Sequence, residues 1–289
     1  MRPAGITLFD ALAAARERLV KAGVTPAEAA VDVDLYARTI LGWDRARVIT
    51  SQHEPAPEGL EPRFSEWIAR RERREPTAYI VGAREFWGLE FLVTPAVLIP
   101  RPETEFVVEE ALRAVSGIRQ DSLRIADIGT GCGCIAVSLA RELANASVTA
   151  SDVSAVALDV ARRNAERHGV GRNVRFVQTS YLDGIAGPFD LIASNPPYVK
   201  QGDKPALSRD VQHEPDVALF GGATGLRDIS AVLDAAVDRL RPGGWFVMEF
   251  GFGQEDDVRE LASQRPALRF DRVREDLQGL PRTAVIQRR

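Results

Sequence analysis

The chain has 289 residues, enough for about two domains with sizeable cores, and its 45% hydrophobic and 27% charged residues are typical of an ordinary globular protein. Its net charge of −4 lacks the basic surplus of proteins that bind duplex nucleic acid. No apolar run approaches the length of a membrane span, and charges replace the apolar core of a signal peptide near the N-terminus, so we expect a cytoplasmic protein.

Residues 1–75 are predicted to form a small all-α domain. Thr7 precedes apolar residues that recur at helical spacing, and Asp10 completes a capping pair with it. A second helix begins more clearly, because Thr25 is followed by Pro26 and by Glu28, the pattern of a capping box.

A third predicted helix of this domain ends in a cluster of arginines, which are Arg70, Arg71, Arg73 and Arg74. Cations are favoured at the C-terminal end of a helix, so we interpret the cluster as a solvated helix end. A phosphate-binding or partner-docking face is the alternative.

Residues 76–100 are rich in aromatic and β-branched side chains, interrupted by Gly82 and Gly88. This pattern is typical of a β-hairpin, which would link two domains. In the segment that follows, Thr104 is a candidate cap for the next helix. From composition alone, Arg101 and Glu103 are an ordinary surface ion pair.

The rest of the chain, residues 101–289, is predicted to form an α/β domain. Strands and helices alternate regularly from residue 123 onwards, as βαβ units require, and the seven predicted strands indicate a Rossmann-like, mostly parallel sheet. Open sheets of this kind bind ligands at the carboxyl ends of their strands.

A glycine turn at 129–133 and an acid after the next strand are typical of a nucleoside-binding half-domain. Glycines in the turn let a ligand approach the backbone, and Asp152 follows about 20 residues later, where a carboxylate can bind both ribose hydroxyls. Because the turn lacks the spacing of a pyrophosphate-binding loop, S-adenosylmethionine is the economical cofactor. Its cationic groups would contact Asp127 and the turn, and Tyr181 would stack on its adenine.

The segment 195–198, Asn-Pro-Pro-Tyr, follows a predicted strand. Consecutive prolines restrict the backbone, so they hold the side-chain amide of Asn195 and the carbonyl of Pro196 in place. Two such acceptors beside the ring of Tyr198 suit a planar NH2 group. A turn into a polyproline linker is the alternative for an isolated tetrapeptide.

Cys132 and Cys134 are separated by a single residue, too close for a structural disulfide, which agrees with a reducing compartment. No further side chain of metal-binding type lies nearby in the sequence. We interpret both as small residues of the glycine turn and expect no metal.

Segments 97–105, 127–133, 195–198 and 214–226 resemble those of the release factor glutamine N5-methyltransferases. Asn-Pro-Pro-Tyr is also found in adenine N6-methyltransferases. The Arg-Pro-Glu-Thr-Glu within 97–105 is the sequence that narrows the resemblance to the release factor enzymes. A sister group that acts on a glutamine of a ribosomal protein tends to differ in that segment. The resemblance begins near residue 76 and is weaker over the helical domain. Ser180 departs from it, because the family often has aspartate at that position.

This resemblance implies an S-adenosylmethionine-dependent methyltransferase that modifies the side-chain nitrogen, N5, of the glutamine in the Gly-Gly-Gln motif of peptide chain release factors. The implied cofactor-binding residues are Asp127, Gly129, Thr130, Gly131, Cys132, Gly133, Asp152, Tyr181 and Asn195. The substrate glutamine would bind to Asn195, Pro196, Pro197 and Tyr198, of which Asn195, Pro196 and Tyr198 would be catalytic.

Release factors are then the expected partners, with no direct binding to nucleic acid or membranes, and we expect a monomer. The helical domain 1–75 would dock the substrate. The long loop 199–225, with Lys200 and Lys204, would form part of the binding groove, although a disordered surface loop is the alternative. We interpret His213 as a structural residue of this loop and not as a general base.

Two other functions compete with this prediction. A nucleic-acid adenine methyltransferase would also accept a planar NH2, but the basic groove or recognition domain that it needs is not evident. A regulator that binds the cofactor without catalysis would need a broken acceptor site, whereas Asn195 and both prolines are intact.

Overall fold

The structure is a computed structural model that describes residues 6–118 and 123–289. The chain forms two compact units: a helical unit of Met1–Gly82 with Ser208–His213, and a sheet unit of Ala83–Leu207 with Glu214–Arg289. Residues 1–5, with which the predicted helical domain begins, lie outside the described part of the chain. Within that part, no helix is both long and apolar enough to cross a membrane.

The helical unit contains α1 (Leu8–Lys21), α2 (Pro26–Leu41), α3 (Arg45–Thr50), α4 (Arg63–Glu72) and α5 (Thr77–Val81). Both predicted caps are confirmed: Thr7 accepts a hydrogen bond from the backbone N–H of Asp10, and Thr25 forms a complete capping box with Glu28. The buried side chains of α1 are the apolar residues at helical spacing, Leu8, Leu12, Ala15 and Leu19.

Helix α5 departs from the prediction, because its residues were expected to open the β-hairpin. Pro76 precedes its first turn and Gly82 ends it with φ of 82°, the start and stop signals of a helix. Its first residue, Thr77, also shares a hydrogen bond of 2.8 Å with the hydroxyl of Tyr36 on α2. The apolar run around Ile80 therefore packs as a helix in the core of the helical unit.

The arginine cluster at the C-terminal end of α4 is only partly solvated, since Arg73 is exposed but Arg71 is not. Arg71 is 3% exposed, and its guanidinium lies 2.7 Å from a carboxylate oxygen of Asp32 and 2.7 Å from one of Asp210. Arg74 binds the other oxygen of Asp210, also at 2.7 Å. A buried guanidinium is stable only with such partners, so the predicted solvation is wrong for Arg71. These ion pairs hold segment 208–213 within the helical unit.

The sheet unit begins with a hairpin of β1 (Ala83–Phe86) and β2 (Leu89–Leu92), followed by α6 (Glu105–Val115). Its main strands are β3 (Arg124–Ile128), β4 (Ser147–Asp152), β5 (Val174–Gln178), β6 (Phe189–Ser194), β7 (Leu240–Glu249), β8 (Leu268–Glu275) and β9 (Pro281–Arg288). The other helices are α7 (Cys134–Glu142), α8 (Ala155–Arg167), α9 (Asp216–Leu219), α10 (Arg227–Arg239) and α11 (Glu255–Ser263).

The predicted seven-stranded, mostly parallel sheet is confirmed, with strand order β5-β4-β3-β6-β7-β9-β8. Strands β3 to β7 are parallel to one another, and β9 pairs antiparallel with both β7 and β8. The chain runs outward from β3 to β5 and then returns to β6 on the other side of β3. This change of direction between β3 and β6 is a topological switch point, where open α/β sheets bind ligands.

The register places two predicted site segments at this switch point. Ile128, the last residue of β3, is paired with Ser194, the last residue of β6. The glycine turn that starts at Gly129 and the segment that starts at Asn195 therefore leave neighbouring strands at the same level. A core of apolar side chains from α10, α11 and the sheet supports both strands from one face.

Candidate active site

A cavity of about 200 Å³ lies at the carboxyl ends of β3, β4, β5 and β6. Its wall includes Gly129, Thr130, Gly131 and Cys132 of the glycine turn, Asp152 at the end of β4 with Ser154 after it, Ser180 and Tyr181 after β5, and Asn195, Pro196 and Pro197 after β6. Of the predicted site residues, Asp127, Gly133 and Tyr198 are not lining residues. The structure thus brings most of the predicted residues to one cavity.

The glycine turn owes its shape to backbone conformations that other residues rarely adopt. Gly129 and Gly131 have φ of 71° and 56°, and a Cβ at either position would find no protein atom within 4 Å. The carboxylate of Asp152 accepts hydrogen bonds from the backbone N–H groups of Gly131 and Ser154, each at 2.9 Å. Asp152 therefore fixes the turn as well as facing the cavity, and burial raises its pKa.

Asp127 is completely buried at the penultimate position of β3. Its Oδ2 accepts hydrogen bonds from the Thr130 hydroxyl at 2.6 Å and from the Ala136 N–H at 3.1 Å. Its Oδ1 has no protein partner in the described part of the chain. Burial raises the pKa of this carboxyl to about 7, so it holds its proton far more tightly than an exposed aspartate does.

Gly133 supports the turn from the side of α7, whose N-cap it is. Its φ is 85°, and a Cβ there would lie 3.1 Å from that of Ala161 on α8. The glycine is thus required for close packing between the turn and α8. Direct contact of Asp127 and Gly133 with a cofactor stays a prediction.

Tyr181 follows β5 and has φ of 50°, an unusual conformation for a tyrosine. Its hydroxyl donates a hydrogen bond of 2.8 Å to Asp228 at the start of α10. Desolvation and this carboxylate raise its pKa to about 12, so the phenol stays neutral. The ring is held in the cavity wall beside Ser180.

Asn195 is oriented by a chain of hydrogen bonds that the sequence did not reveal. Its Nδ2 donates to the Thr104 hydroxyl at 3.0 Å, and that hydroxyl donates to Oε2 of Glu249 at 2.6 Å. Among the described residues, the Asn195 side chain makes this hydrogen bond through Nδ2 and none through Oδ1, so Oδ1 keeps its lone pairs for a ligand. Thr104 stands at the N-cap position of α6, as expected, but among the described residues its side chain makes no cap hydrogen bond.

Tyr198 differs from the prediction in its position, because it is not a wall of the cavity. Its hydroxyl donates a hydrogen bond of 3.0 Å to Oε1 of Glu249, the last residue of β7. The nearby charge of Glu249, followed by burial, raises the pKa of the phenol well above its usual value. The backbone carbonyl of Tyr198 accepts a hydrogen bond of 3.1 Å from the side chain of Gln254.

Arg101 and Glu103 are not the surface pair that composition suggests. Arg101 forms an ion pair with Glu214, which is 4% exposed and also accepts a hydrogen bond of 3.1 Å from the Ile99 N–H. This pairing connects segment 97–101 to the loop before α9. The prediction failed because the partner is distant in sequence.

Thr104 and Glu249 are polar residues at or near the cavity whose hydrogen-bonding roles sequence reasoning missed, and it also missed the lining residues Arg227 and Asp228. Glu249 alone had a usable signal, since it is a charged residue that ends an apolar strand. A carboxylate in such a place is rarely buried without a hydrogen-bonding role.

The loop 199–225 is described throughout and contains short helical turns and α9. Lys204 forms an ion pair of 2.6 Å with Asp216 and lies over the ring of Phe220. Nε2 of His213 lies 3.3 Å from the Arg73 carbonyl oxygen within the helical unit, in keeping with a structural residue. The Lys204 side chain is thus already paired within the loop.

The two cysteines are free and buried. A hydrogen bond with the neighbouring thiol of Cys132, followed by burial, raises the pKa of Cys134 well above its usual value, so the Cys134 thiol behaves as a small apolar group. In residues 6–118 and 123–289, no cluster of at least three His, Cys, Asp or Glu side chains is arranged to hold a metal ion.

Comparison with known proteins identifies two domains. Residues 10–82 match the model of the PrmC N-terminal domain, and residues 110–216 match the methyltransferase small domain. The release factor glutamine methyltransferase of Nitratidesulfovibrio vulgaris is 45% identical over 229 residues, which are 78% of this chain and 77% of that protein. The protein of the same name from Koribacter versatilis is 39% identical over 283 residues, 97% of this chain and 98% of that protein.

Solved structures share the fold at lower identity. The hMettl16 catalytic domain was solved in complex with hairpin 6 of the MAT2A 3'UTR. It has a TM-score of 0.57 at 17% identity, and the match covers 76% of this chain and 81% of the hMettl16 chain. A methyltransferase from Pyrococcus furiosus has a TM-score of 0.52 at 21% identity and covers 77% of this chain and 98% of its own. At such identities the likeness concerns the fold alone.

Proposed function

The chain belongs to the release factor glutamine methyltransferases, and on this premise we propose that it methylates N5 of the glutamine in the Gly-Gly-Gln motif of a peptide chain release factor. The observation that carries this proposal is the fixed orientation of Asn195, whose Nδ2 is bound to Thr104 while Oδ1 remains available at the cavity. An amide oxygen held in this way, beside the Pro196 carbonyl, is complementary to a primary amide.

S-adenosylmethionine is the cofactor, and when bound it supplies a methyl group activated by a sulfonium. The residues present fit it in two respects. The positive-φ glycines at 129 and 131 leave open space beside the turn among the described residues. In the same part of the chain the buried Oδ1 of Asp127 has no hydrogen-bond partner, and an ammonium group of the cofactor would supply one. In our proposal the turn holds the amino-acid part, Asp152 the ribose, and Tyr181 with Ser180 the adenine.

An amide nitrogen is a poor nucleophile because its lone pair is delocalised into the carbonyl. Asn195 Oδ1 and the Pro196 carbonyl each accept one N–H of the glutamine, which orients the NH2 and favours pyramidalisation as the new N–C bond forms. The bond between the methyl carbon and the sulfonium sulfur would break in the same step, with a neutral thioether as the leaving group. As positive charge develops on nitrogen, these two carbonyl dipoles stabilise it, and a proton then leaves to water. The described residues at the cavity supply no histidine for this step, so the mechanism assigns no general base.

The helical unit and the loop 199–225 are the surfaces that we propose for docking of the release factor. The match of residues 10–82 to the PrmC N-terminal domain shows that the helical unit is a domain with its own family model. In the loop, exposed Lys200 is the better candidate contact because Lys204 is already paired with Asp216. A release factor substrate would place this enzyme in the cytoplasm, and we propose that it acts there as a monomer.

Methyl transfer from labelled S-adenosylmethionine to a panel of purified substrates tests this function. The panel contains a release factor, the same factor with its Gly-Gly-Gln glutamine replaced by alanine, ribosomal proteins, and DNA and RNA that contain adenine. Label on the intact release factor, absent from its variant, is the expected result. Label on a ribosomal protein or on nucleic acid, with none on the release factor, would overturn the proposal.

A further inference from the structure

Glu249 is a buried carboxylate that no feature of the sequence assigns to the reaction. It is 1% exposed at the end of β7, and its two oxygens accept hydrogen bonds from two different hydroxyls, those of Thr104 at 2.6 Å and of Tyr198 at 3.0 Å. Burying a carboxylate is costly unless its oxygens are bound. The arrangement satisfies each oxygen of Glu249 with one donor.

The direction of these hydrogen bonds determines which face Asn195 presents to the cavity. A threonine hydroxyl has a single proton, and Thr104 gives it to Glu249. Toward Asn195, Thr104 can therefore act only as an acceptor, and it must be approached by the NH2 side of the amide. This leaves Oδ1, and not Nδ2, for a ligand. If the amide were reversed, two N–H donors would face the donors of a substrate NH2.

The second hydrogen bond of Glu249, through Oε1, is made with the same tetrapeptide. Its bond to the Tyr198 hydroxyl fixes the ring, while Gln254 holds the Tyr198 backbone carbonyl and in turn accepts a hydrogen bond of 2.8 Å from the Gly251 N–H. The segment 195–198 is thus fixed at its first and last residues by the residue before α6, the last residue of β7 and the residue before α11.

We propose that Glu249 and Thr104 are positioning residues for methyl transfer, which set the Asn195 amide so that its oxygen accepts a substrate N–H. The inference rests on the proposed function, since it names the residues that prepare the acceptor for an amide nitrogen. Neither residue takes part in bond making. Their effect is on the orientation of the substrate NH2, and hence on kcat.

Thr104→Val tests this role because valine keeps the shape of threonine and removes the hydroxyl. We expect kcat for methylation of the release factor to fall about 100-fold, the scale of a misplaced reactive group, while KM for the release factor and the affinity for S-adenosylmethionine change less than about threefold. Thr104→Ser should recover most of the lost rate. Unchanged kcat in Thr104→Val, or a Thr104→Ser enzyme as slow as Thr104→Val, would overturn the proposal.

A matched control is Thr283→Val, which makes the same change at a buried threonine whose hydroxyl has no partner in the described part of the chain. Thr283 lies opposite Glu249 on β9. Because it supplies no hydrogen bond to the site, its replacement should leave kcat within about twofold of wild type. A loss equal to that of Thr104→Val would mean that packing of the sheet, and not the hydroxyl of Thr104, determines the rate.

A second readout needs no substrate and so separates this inference from the proposed function. In the NMR spectrum of the protein without ligand, the Nδ2 protons of Asn195 should exchange with solvent at least tenfold faster in Thr104→Val than in wild type. Equal exchange would contradict the proposed orientation. If wild type fails to methylate any release factor but this exchange difference is present, the proposed function fails while the positioning of Asn195 stands.

Discussion

The Nδ2 of Asn195 lies 3.0 Å from the hydroxyl of Thr104, although 91 positions separate the two residues. This contact joins the segment after β6 to the start of α6. It explains in physical terms why the two segments 97–105 and 195–198 belong to one site: the first supplies the group that orients the amide of the second. Because Thr104 also donates to Glu249, this carboxylate determines which side of the Asn195 amide faces the cavity.

The ionisation of Glu249 should shape the pH dependence of kcat. Burial raises its pKa, with a further contribution from Glu103, while hydrogen bonds from Thr104 and Tyr198 and the charge of Arg282 oppose the shift. Protonated Glu249 would donate to one hydroxyl and reverse that bond. We therefore expect kcat to fall as the pH decreases, with a midpoint above the usual glutamate range.

Glu249→Gln checks this assignment, because glutamine keeps the shape but has only one acceptor oxygen for two hydroxyls. The variant should have a low kcat without the acidic limb, measured from pH 5 to pH 9 at saturating substrate. An acidic limb of the same midpoint in the variant would show that another group causes it.

Asp127 should make the folded state less stable as the pH rises. Its pKa is raised from 3.8 to about 7, so the folded protein holds this proton more tightly than the unfolded chain. Ionisation of Asp127 therefore destabilises the folded state by about 4 kcal/mol, and this free energy of unfolding is lost progressively as the pH rises from 4 to 7. Asp127→Asn removes this titration. Between pH 5 and pH 8 its free energy of unfolding should therefore fall less than that of the wild type.

Urea unfolding at the two pH values measures this difference. The exposed Asp238 on α10 provides the control, since Asp238→Asn should follow the wild-type pH profile. Parallel profiles for Asp127→Asn and wild type would refute the raised pKa.

Gly225 is required for close packing against the tetrapeptide. It has φ of 77°, and a Cβ there would collide with the backbone carbonyl oxygen of Tyr198. Gly279 has a similar φ of 79° but nothing within 4 Å. We expect Gly225→Ala to lose about 3 kcal/mol of unfolding free energy and most activity, and Gly279→Ala to lose about 1 kcal/mol with activity retained. Equal losses in the two variants would mean that backbone conformation alone, and not contact with Tyr198, is responsible.

The buried ion pairs of Arg71 should stabilise the helical unit strongly. Arg71→Met leaves Asp32 and Asp210 without their shared partner, so we expect the free energy of unfolding to fall by about 3 to 5 kcal/mol. Arg18→Met, which removes an exposed pair with Glu72, should cost less than about 1 kcal/mol. Thermal or urea unfolding measures both, and a loss below 1 kcal/mol for Arg71→Met would contradict the role of this network.

Much of the fold could be predicted from the sequence because its signals are local. Caps such as Thr25 with Glu28, and the alternation of apolar strands with helices, depend on neighbours within a few residues. Helix α5 was missed because its apolar run is too short to show a helical period, although Pro76 and Gly82 flank it as local start and stop signals. Its packing against α2 and α4 adds a tertiary contribution that the sequence pattern does not show.

The site was predictable where one segment carries its own chemistry and not where it depends on distant partners. Asn195 follows β6 and Asp152 ends β4, so their position in the cavity is a consequence of the topology. From its neighbours in sequence, Thr104 is predicted to be a helix cap and Arg101 a surface residue. Their actual partners, Glu249 and Glu214, each lie more than one hundred positions away in sequence. No periodicity or spacing encodes such pairs.

The most direct test of the central claim is the single-turnover rate of methyl transfer to the release factor by Asn195→Ala, with each enzyme saturated with S-adenosylmethionine. Loss of the Oδ1 acceptor should slow the transfer at least about 100-fold, whereas Asn173→Ala, an asparagine outside the cavity, should react at the wild-type rate. A rate for Asn195→Ala within a few-fold of wild type would contradict the claim that this amide prepares the glutamine nitrogen for methylation.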